Sequence, residues 1–452
     1  MSDIIAAVAT GWQASAIGII RMSGPGCIDL AGKVFTPRYG SMTNIYDRNL
    51  VIGALHDKQG RIIDEVLLTV SHGPNSYTGE DTAEFQCHGS PAVLTAGLEA
   101  LFFHGARQAG PGEFTKRAFL NGRMDLTQAE AVIDLIDAES TEAAANAVGQ
   151  LGGAMLRRIA PIYDMLTDMM AHFHAVLDYP DEDIDPFELQ DFQGQLEQAS
   201  NLLYQLLSTY SRGKVLKRGI RAVILGKPNA GKSSLLNALA GYDRVIVTDI
   251  AGTTRDSVEE TVKLGCHLLR LVDTAGIRES NDQIEQMGVV RAEAAAAHAD
   301  FAIYVCDSST ELTEEDFRAQ RAAMEAPHCM AVLNKQDLPQ RVLPSDLPFD
   351  WVVPVSAKTG EGLDQIEDVL DCIFGQDLPC DGSILTNARQ AEAVVRAGKA
   401  IDEALRSMKQ NMTPDAVLVD VETAMEALGE ITGQIMREEI TNRIFERFCV
   451  GK

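Results

Sequence analysis

Residues Gly226 to Ser233 read GKPNAGKS, after the apolar run Ala222 to Leu225 and before the helix-like SLLNAL. Glycines in such a loop let successive backbone N–H groups face phosphates, and the positive end of the following helix favours the same charge. The Lys232 ammonium suits the β- and γ-phosphates of a nucleoside triphosphate, and the Ser233 hydroxyl suits Mg²⁺. Three further groups follow in order, each after a strand-like run: Asp273-Thr274-Ala275-Gly276, Asn334-Lys335-Gln336-Asp337 and Ser356-Ala357-Lys358. An aspartate such as Asp273 reaches Mg²⁺ through water, and the Gly276 N–H can face the γ-phosphate. The Asp337 carboxylate matches the N1–H and N2–H₂ donors of guanine, a pair that adenine lacks. Ser356 to Lys358 are expected under the base. The predicted ligand is GTP and the predicted reaction is its hydrolysis.

The order of these motifs resembles the translation-factor-like GTPases in general, with one departure. Small Ras-like members carry a glutamine after the DxxG group that orients the attacking water. Here the position is Ile277, whose side chain neither donates nor accepts. Another group must serve, and Arg278, Glu279, Asp282 and Glu285 are near in sequence. Asn229, inside the phosphate loop, has two readings. Its oxygen can ligate a monovalent cation, a job an arginine finger does elsewhere, or the residue only stabilises the turn.

The elements that position these groups follow from composition and pattern. The chain has 452 residues and 39 Lys+Arg against 65 Asp+Glu, a formal charge of −26. Length alone suggests roughly three domains. The acidity disfavours non-specific nucleic-acid binding, as in ribosome-assembly GTPases with appended basic RNA domains. The eight cysteines form no CxxC pair and no zinc spacing, which fits a reducing compartment. No apolar run is long enough for a membrane span and the first residues lack a basic leader, so the expectation is a soluble, cytoplasmic protein without membrane contact.

Residues 1–120 alternate short apolar runs with Gly, Pro and Asn turns, with a helix near Ala92 to Phe103, and read as an α+β domain. From 121 to 215 the pattern is helical. It opens on a capping box of Thr127 and Glu130, continues in one helix over 129–151 and another from 156, turns at the acidic 178–186, and resumes over 187–210. The basic GKVLKRG, 213–219, reads as a linker into an α/β GTPase domain over 216–373, and FGQDLPCDGS as the linker out of it. Helical pattern returns over 374–452 in NARQAEAVVRAGKAIDEALRSMKQ, DAVLVDVETAMEALGEIT and REEITNRIFERF. A helical domain interrupted by an inserted, Ras-like doubly wound α/β domain is the economical arrangement.

The segment PGEFTKRAFLNGRMDLTQAEAVIDLIDA, joined to GKPNAGKSSLLNAL and a terminal FCVGK, resembles the tRNA uridine-modification GTPase family MnmE, also called TrmE, over essentially the whole chain. The resemblance implies a function: a (carboxymethyl)aminomethyl group installed at C5 of the wobble uridine of certain tRNAs. It implies a flavoprotein partner, MnmG (GidA), which carries FAD and joins the homodimer in a heterotetramer or larger complex. It also implies a one-carbon unit from a tetrahydrofolate (5-formyl or 5,10-methylene), and an N-terminal dimerisation domain with a folate-binding-like fold. By resemblance the folate contacts are Arg21, Glu84, Arg123, where the family usually has lysine, and Lys452. Cys449 lies near that site, as participant or as packing residue.

The resemblance further implies a GTPase activated by K⁺ and by dimerisation of its G domains. The K⁺ ligands would be Asn229, Thr248, Ile250 and Thr253, and Mg²⁺ would be held by Ser233 and Thr254. Glu285 would be the catalytic glutamate, acting through a bridging water. The nucleotide site would comprise Asn229, Ala230, Gly231, Lys232, Ser233 and Ser234, the loop Thr248, Asp249, Ile250, Ala251, Gly252, Thr253 and Thr254, and the three downstream groups.

Overall fold

The computed structural model describes residues 3–178, 189–242, 260–271, 296–375, 380–410, 412–435, 444–446 and 448–451. The chain forms two compact units, Met1–Ile136 with Gln150–Ser200 and Ala393–Lys452, and Asp137–Gly149 with Asn201–Glu392.

The first unit begins with β1 (Ile5–Val8), β2 (Ser15–Ser23), β3 (Phe35–Pro37), β4 (Val51–His56), β5 (Ile62–Ser71), β6 (Thr82–Gly89) and β7 (Arg107–Gln108). They form one sheet in the order β3-β4-β5-β6-β2-β1-β7. Ile20, Met22, Val66, Leu68, Val70, Ala83 and Phe85 alternate along their strands and bury one face. The helices Cys27–Val34 and Pro91–Phe103 contribute Leu30, Val34, Leu94 and Leu98 to that core. The same alternation sends Arg21, between Ile20 and Met22, to the opposite face, and the antiparallel register sets it directly across from Glu84.

The rest of this unit is helical. Met155, Ile159, Ile162, Leu166, Met169 and Phe173 recur every three or four residues along the helix Ala154–Asp178, and all are buried. The helix Pro414–Thr432 packs on it and buries Val417, Val421, Ala424, Leu428 and Ile431 at the same spacing. Truncating one such leucine to alanine costs about 2–5 kcal/mol.

Several local expectations are corrected. The capping box is two residues earlier than predicted. Asp125 Oδ1 accepts from the Gln128 N–H at 2.9 Å, and Gln128 Oε1 accepts from the Asp125 N–H at 2.9 Å. Thr127 and Glu130 are instead buried inside the helix Leu126–Ile136. The single helix expected over 129–151 is two, Leu126–Ile136 and Thr141–Leu151, because Ser140 caps the second by accepting from the Ala143 N–H at 3.1 Å.

Residues 213–219 are not a linker but part of the helix Tyr210–Arg218, ended by Gly219 at φ 72°. A Cβ at Gly213 would lie 1.7 Å from the Leu385 carbonyl, so glycine there permits backbone contact. The segment after the α/β domain is equally well packed. Ile384 and Leu385 are buried, and the Leu385 N–H donates to Thr209 Oγ1 at 3.1 Å. The helices expected over 187–210, 387–410 and 415–432 are found as Leu189–Ser208, Ala388–Lys409 and Pro414–Thr432. The predicted turn from 179 onward and most of REEITNRIFERF lie outside the described residues.

The second unit holds β8 (Ile220–Leu225), β9 (Glu260–Leu264), β10 (His267–Leu271), β11 (Phe301–Asp307), β12 (Cys329–Asn334) and β13 (Val352–Pro354). The order is β13-β12-β11-β8-β10-β9, parallel except for the β9–β10 hairpin. The central strands are buried on both faces. Phe301, Ile303 and Val305 join one core with Leu235 and Leu239, whereas Ala302, Tyr304 and Cys306 join the other with Ala319 and Ala323. Two apolar faces on a parallel sheet make the predicted doubly wound α/β layer. Among the described residues no helix is long and apolar enough to cross a membrane.

Candidate functional site

The phosphate loop leaves β8 at Gly226, with φ 151°. A Cβ there would lie 2.4 Å from the Val305 carbonyl of the adjacent β11, so only glycine lets the chain turn so close to that strand. Asn229 and Gly231 also have positive φ, 62° and 98°, and the helix Lys232–Tyr242 follows. Lys232 Nζ donates to the Gly226 and Lys227 carbonyls at 2.8 Å each, holding the ammonium across the mouth of the loop. Among the described residues the exposed Asn229 side chain makes no hydrogen bond. Its left-handed backbone is what the turn-forming reading requires, and its side-chain oxygen remains available to a ligand.

Asn334 ends β12 and is 2 % exposed. Its Nδ2 donates to the Ala230 carbonyl at 3.0 Å, and its Oδ1 accepts from the Ala357 N–H at 3.1 Å. One side chain therefore ties the phosphate loop to both expected base-binding segments. Ser356 Oγ donates to Asp337 Oδ1 at 3.0 Å, and Lys358 Nζ stands 3.7 Å from Asp337 Oδ2. These contacts orient a carboxylate edge suited to two adjacent N–H donors.

Sequence reasoning missed two supporting carboxylates. Asp307, at the end of β11, pairs at 2.6 Å with the Nζ of Lys335, a residue with φ 66°. Burial pushes the Asp307 carboxyl up, but Lys335 and the Ser309 hydrogen bonds outweigh it and the net shift is downward. Asp316 pairs with Lys227 Nζ at 2.8 Å, and burial opposed by Lys227 and Thr313 again leaves it lowered. The signal for Asp307 was present, an aspartate closing the apolar run FAIYVC as Asp273 closes HLLRLV. Thr248 to Thr254, Asp273 to Gly276, Ile277 and its neighbours, and Glu285 lie outside the described residues, as does Lys452.

In the first unit, Arg21 Nε donates to Glu84 Oε1 at 2.6 Å. The guanidinium carbon lies 5.5 Å from the Tyr77 ring centroid and 5.8 Å from that of Phe114, and Nη1 donates to the Gly451 carbonyl at 3.4 Å. The end of the chain is pinned there. Val450 bridges Pro111, the Gly112 N–H donates to the Cys449 carbonyl at 3.3 Å, and a Cβ on Gly451 would lie 2.1 Å from the Val8 carbonyl. The structure thus brings Arg21, Glu84 and the tail together. Arg123 is exposed, its Cγ 3.2 Å from where a Cβ on Gly79 would be, and no hydrogen bond among the described residues joins it to the pair. Cys449 is exposed.

Beside this group lies a charge network that the sequence did not disclose. Arg117 contacts Glu80 at 2.9 Å, Asp3 at 2.7 Å and Glu113 at 3.0 Å, and Arg107 contacts Glu113 at 2.5 Å. Hydrogen bonds from Arg107, against a smaller effect of burial, hold Asp3 at about 2. For Glu113 burial acts upward, but Arg107, the Gly110 N–H and Arg117 bring it to about 2.

Comparisons with known proteins agree with this layout. Residues 4–123 match the family model described as the GTP-binding protein TrmE N-terminus, and residues 126–449 match that of the MnmE helical domain. A relative from Roseiflexus sp. (strain RS-1), named tRNA modification GTPase MnmE, is 41% identical over 463 residues, covering 100% of this chain and 99% of its own. One of the same name from Akkermansia muciniphila is 43% identical over 455 residues, 99% and 98% of the two chains. A third, from Aquifex aeolicus (strain VF5), is 39% identical over 453 residues and 100% of both chains.

Proposed function

Because the chain belongs to the MnmE family of tRNA modification GTPases, and so is a GTP hydrolase involved in tRNA modification, we propose that it binds guanine at Asp337 and the triphosphate along Gly226 to Ser233. The observation that carries this is the Asn334 clasp, which holds the phosphate loop and the base segments in one frame. On nucleotide binding Lys232 exchanges the Gly226 and Lys227 carbonyls for phosphate oxygens. Those bonds are neutral–charged and easily replaced by charged partners.

Ser233 and Thr254 hold Mg²⁺, which neutralises charge on the triphosphate. Asn229, with Thr248, Ile250 and Thr253, holds K⁺, which supplies positive charge where other GTPases use an arginine. The exposed Asn229 side chain, without a hydrogen bond among the described residues, fits that task. Glu285 orients the attacking water in place of the residue missing at Ile277, and two G domains face each other during hydrolysis.

The N-terminal group fits a reduced folate. Glu84 keeps Oε2 without a partner among the described residues, an acceptor for the donor edge of a pterin. Tyr77 and Phe114 flank Arg21 with apolar surface. Arg123 and Lys452 add cations for the folate carboxylates, with Cys449 at the edge. The folate brings a one-carbon unit, and the FAD of a flavoprotein of the MnmG kind brings redox capacity. A homodimer of this chain, with 1–120 as dimerising domain, 121–215 and 374–452 as helical domain and 216–373 as G domain, acts with that partner on the wobble uridine.

The test of the nucleotide reading is Asp337→Asn. A carboxamide offers one donor and one acceptor, so the variant should lose at least roughly tenfold in GTP affinity and gain affinity for XTP. Unchanged GTP binding would sink the assignment of Asp337.

A further inference from the structure

β9 and β10 form a hairpin whose turn, Gly265 and Cys266, meets the helix Asp364–Phe374. Cys266 is exposed, and the next residue, His267, is 7 % exposed with its ring 6.5 Å from that of Phe374. His267 Nε2 lies 2.7 Å from Asp371 Oδ1, and the Cys266 Sγ lies 3.5 Å from the same nitrogen and 3.8 Å from the same oxygen. Three donor atoms of different softness thus converge within 4.8 Å.

A buried histidine is satisfied by Asp371 alone. The thiol beside both is what an ordinary ion pair does not need. Zinc bonds of about 2.3 Å to sulfur and 2.0 Å to nitrogen give a tetrahedral S···N edge of about 3.5 Å, and the S···O edge is close to that. The S···N edge already has this length. The S···O edge must close by about 0.3 Å and the His267–Asp371 edge open by roughly 0.6 Å. Asp371 is 52% exposed, so the cluster is open to an ion from solvent.

Glu142, whose Oε2 is buried without a hydrogen-bond partner among the described residues, adds negative charge to the surroundings of the Cys266 thiol. A carboxylate beside a thiol is a poor environment for a catalytic nucleophile and a good one for a divalent ion.

We propose that Cys266, His267 and Asp371 bind a thiophilic divalent cation of the zinc class, with water completing the tetrahedron. The ion fastens the β9–β10 hairpin to the helix Asp364–Phe374. In sequence this hairpin joins the 248–254 loop to Asp273, so the fastening acts on the chain between the two segments expected to respond to nucleotide.

The experiment uses the full chain and Co²⁺ as probe. One Co²⁺ per chain should bind with a thiolate-to-metal absorption band, and Zn²⁺ should displace it. Cys266→Ser and Asp371→Asn should each weaken binding at least about tenfold and remove or diminish the band, while Cys372→Ser and Cys449→Ser keep it. GTP binding by Cys266→Ser confirms that this variant is folded. Absence of a saturable band in the wild type, or a band unchanged in Cys266→Ser, would overturn the site.

Discussion

Asn334 donates to the carbonyl of Ala230 at 3.0 Å, across the end of the strand that separates theirs. β11 lies between β8 and β12, so those strands run about 10 Å apart, and the loop that follows β8 carries Ala230 back over the end of β11 to meet Asn334. A Cβ on Gly231 would lie 2.1 Å from that same Nδ2, so the asparagine in this position leaves room only for glycine at 231.

Asn334→Ala should therefore harm more than base recognition. It leaves the buried Ala230 carbonyl unpaired, at about 1–3 kcal/mol, and the part-buried Ala357 N–H unpaired at a smaller cost. The expected result is weaker GTP binding together with a lower melting temperature of the nucleotide unit. A variant that bound GTP weakly at unchanged stability would show the clasp to be dispensable.

Asn229→Gly separates the two readings of that residue. Glycine keeps the left-handed backbone at φ 62°, so a turn-only role predicts little change. A cation role predicts that hydrolysis in K⁺ falls at least roughly tenfold, to the rate seen in Na⁺. The measurement is the initial GTPase rate in each salt, with the melting temperature as control.

Glu285→Ala should lower the hydrolysis rate by about two orders of magnitude or more while GTP affinity stays near wild type. If tRNA modification in a reconstituted assay with flavoprotein, folate and GTP then proceeded at full rate, hydrolysis would not drive the modification.

The acid limb of stability depends on Glu113. Its folded-state carboxyl, at about 2, lies below the 4.5 of a free glutamate. A depressed carboxyl contributes stability that is complete above the unfolded value and is lost as pH falls through the folded one. The wild type should thus lose melting temperature between roughly pH 4.5 and 2. Glu113→Gln should melt lower at pH 7, and its deficit should vanish near pH 2. A deficit constant with pH would assign the residue a packing role only.

The nucleotide site was legible because its chemistry is local. GKPNAGKS, NKQD and SAK each carry their donors on a few consecutive residues at a strand end, and the alternating or continuous apolar runs place those ends. The capping box at Asp125 and Gln128 was misplaced because DLTQAE offers two overlapping solutions, and burial of Thr127 and Glu130 decides between them. Residues 213–219 read as a linker because two glycines and three cations hide the tight contact at Leu385 that makes Gly213 useful.

Chain order alone determined the nucleotide, the reaction class and the alternation of strand and helix, since each rests on residues within a turn or two of one another. Tertiary structure decided what depends on distant partners. Arg21 meets Glu84 and Gly451 because an antiparallel register and a returning tail bring them together. Cys266 and His267 meet Asp371 because a hairpin turn packs on a helix more than a hundred residues later. No spacing rule records such encounters, because the free energy that makes them comes from the burial of apolar faces elsewhere in the fold.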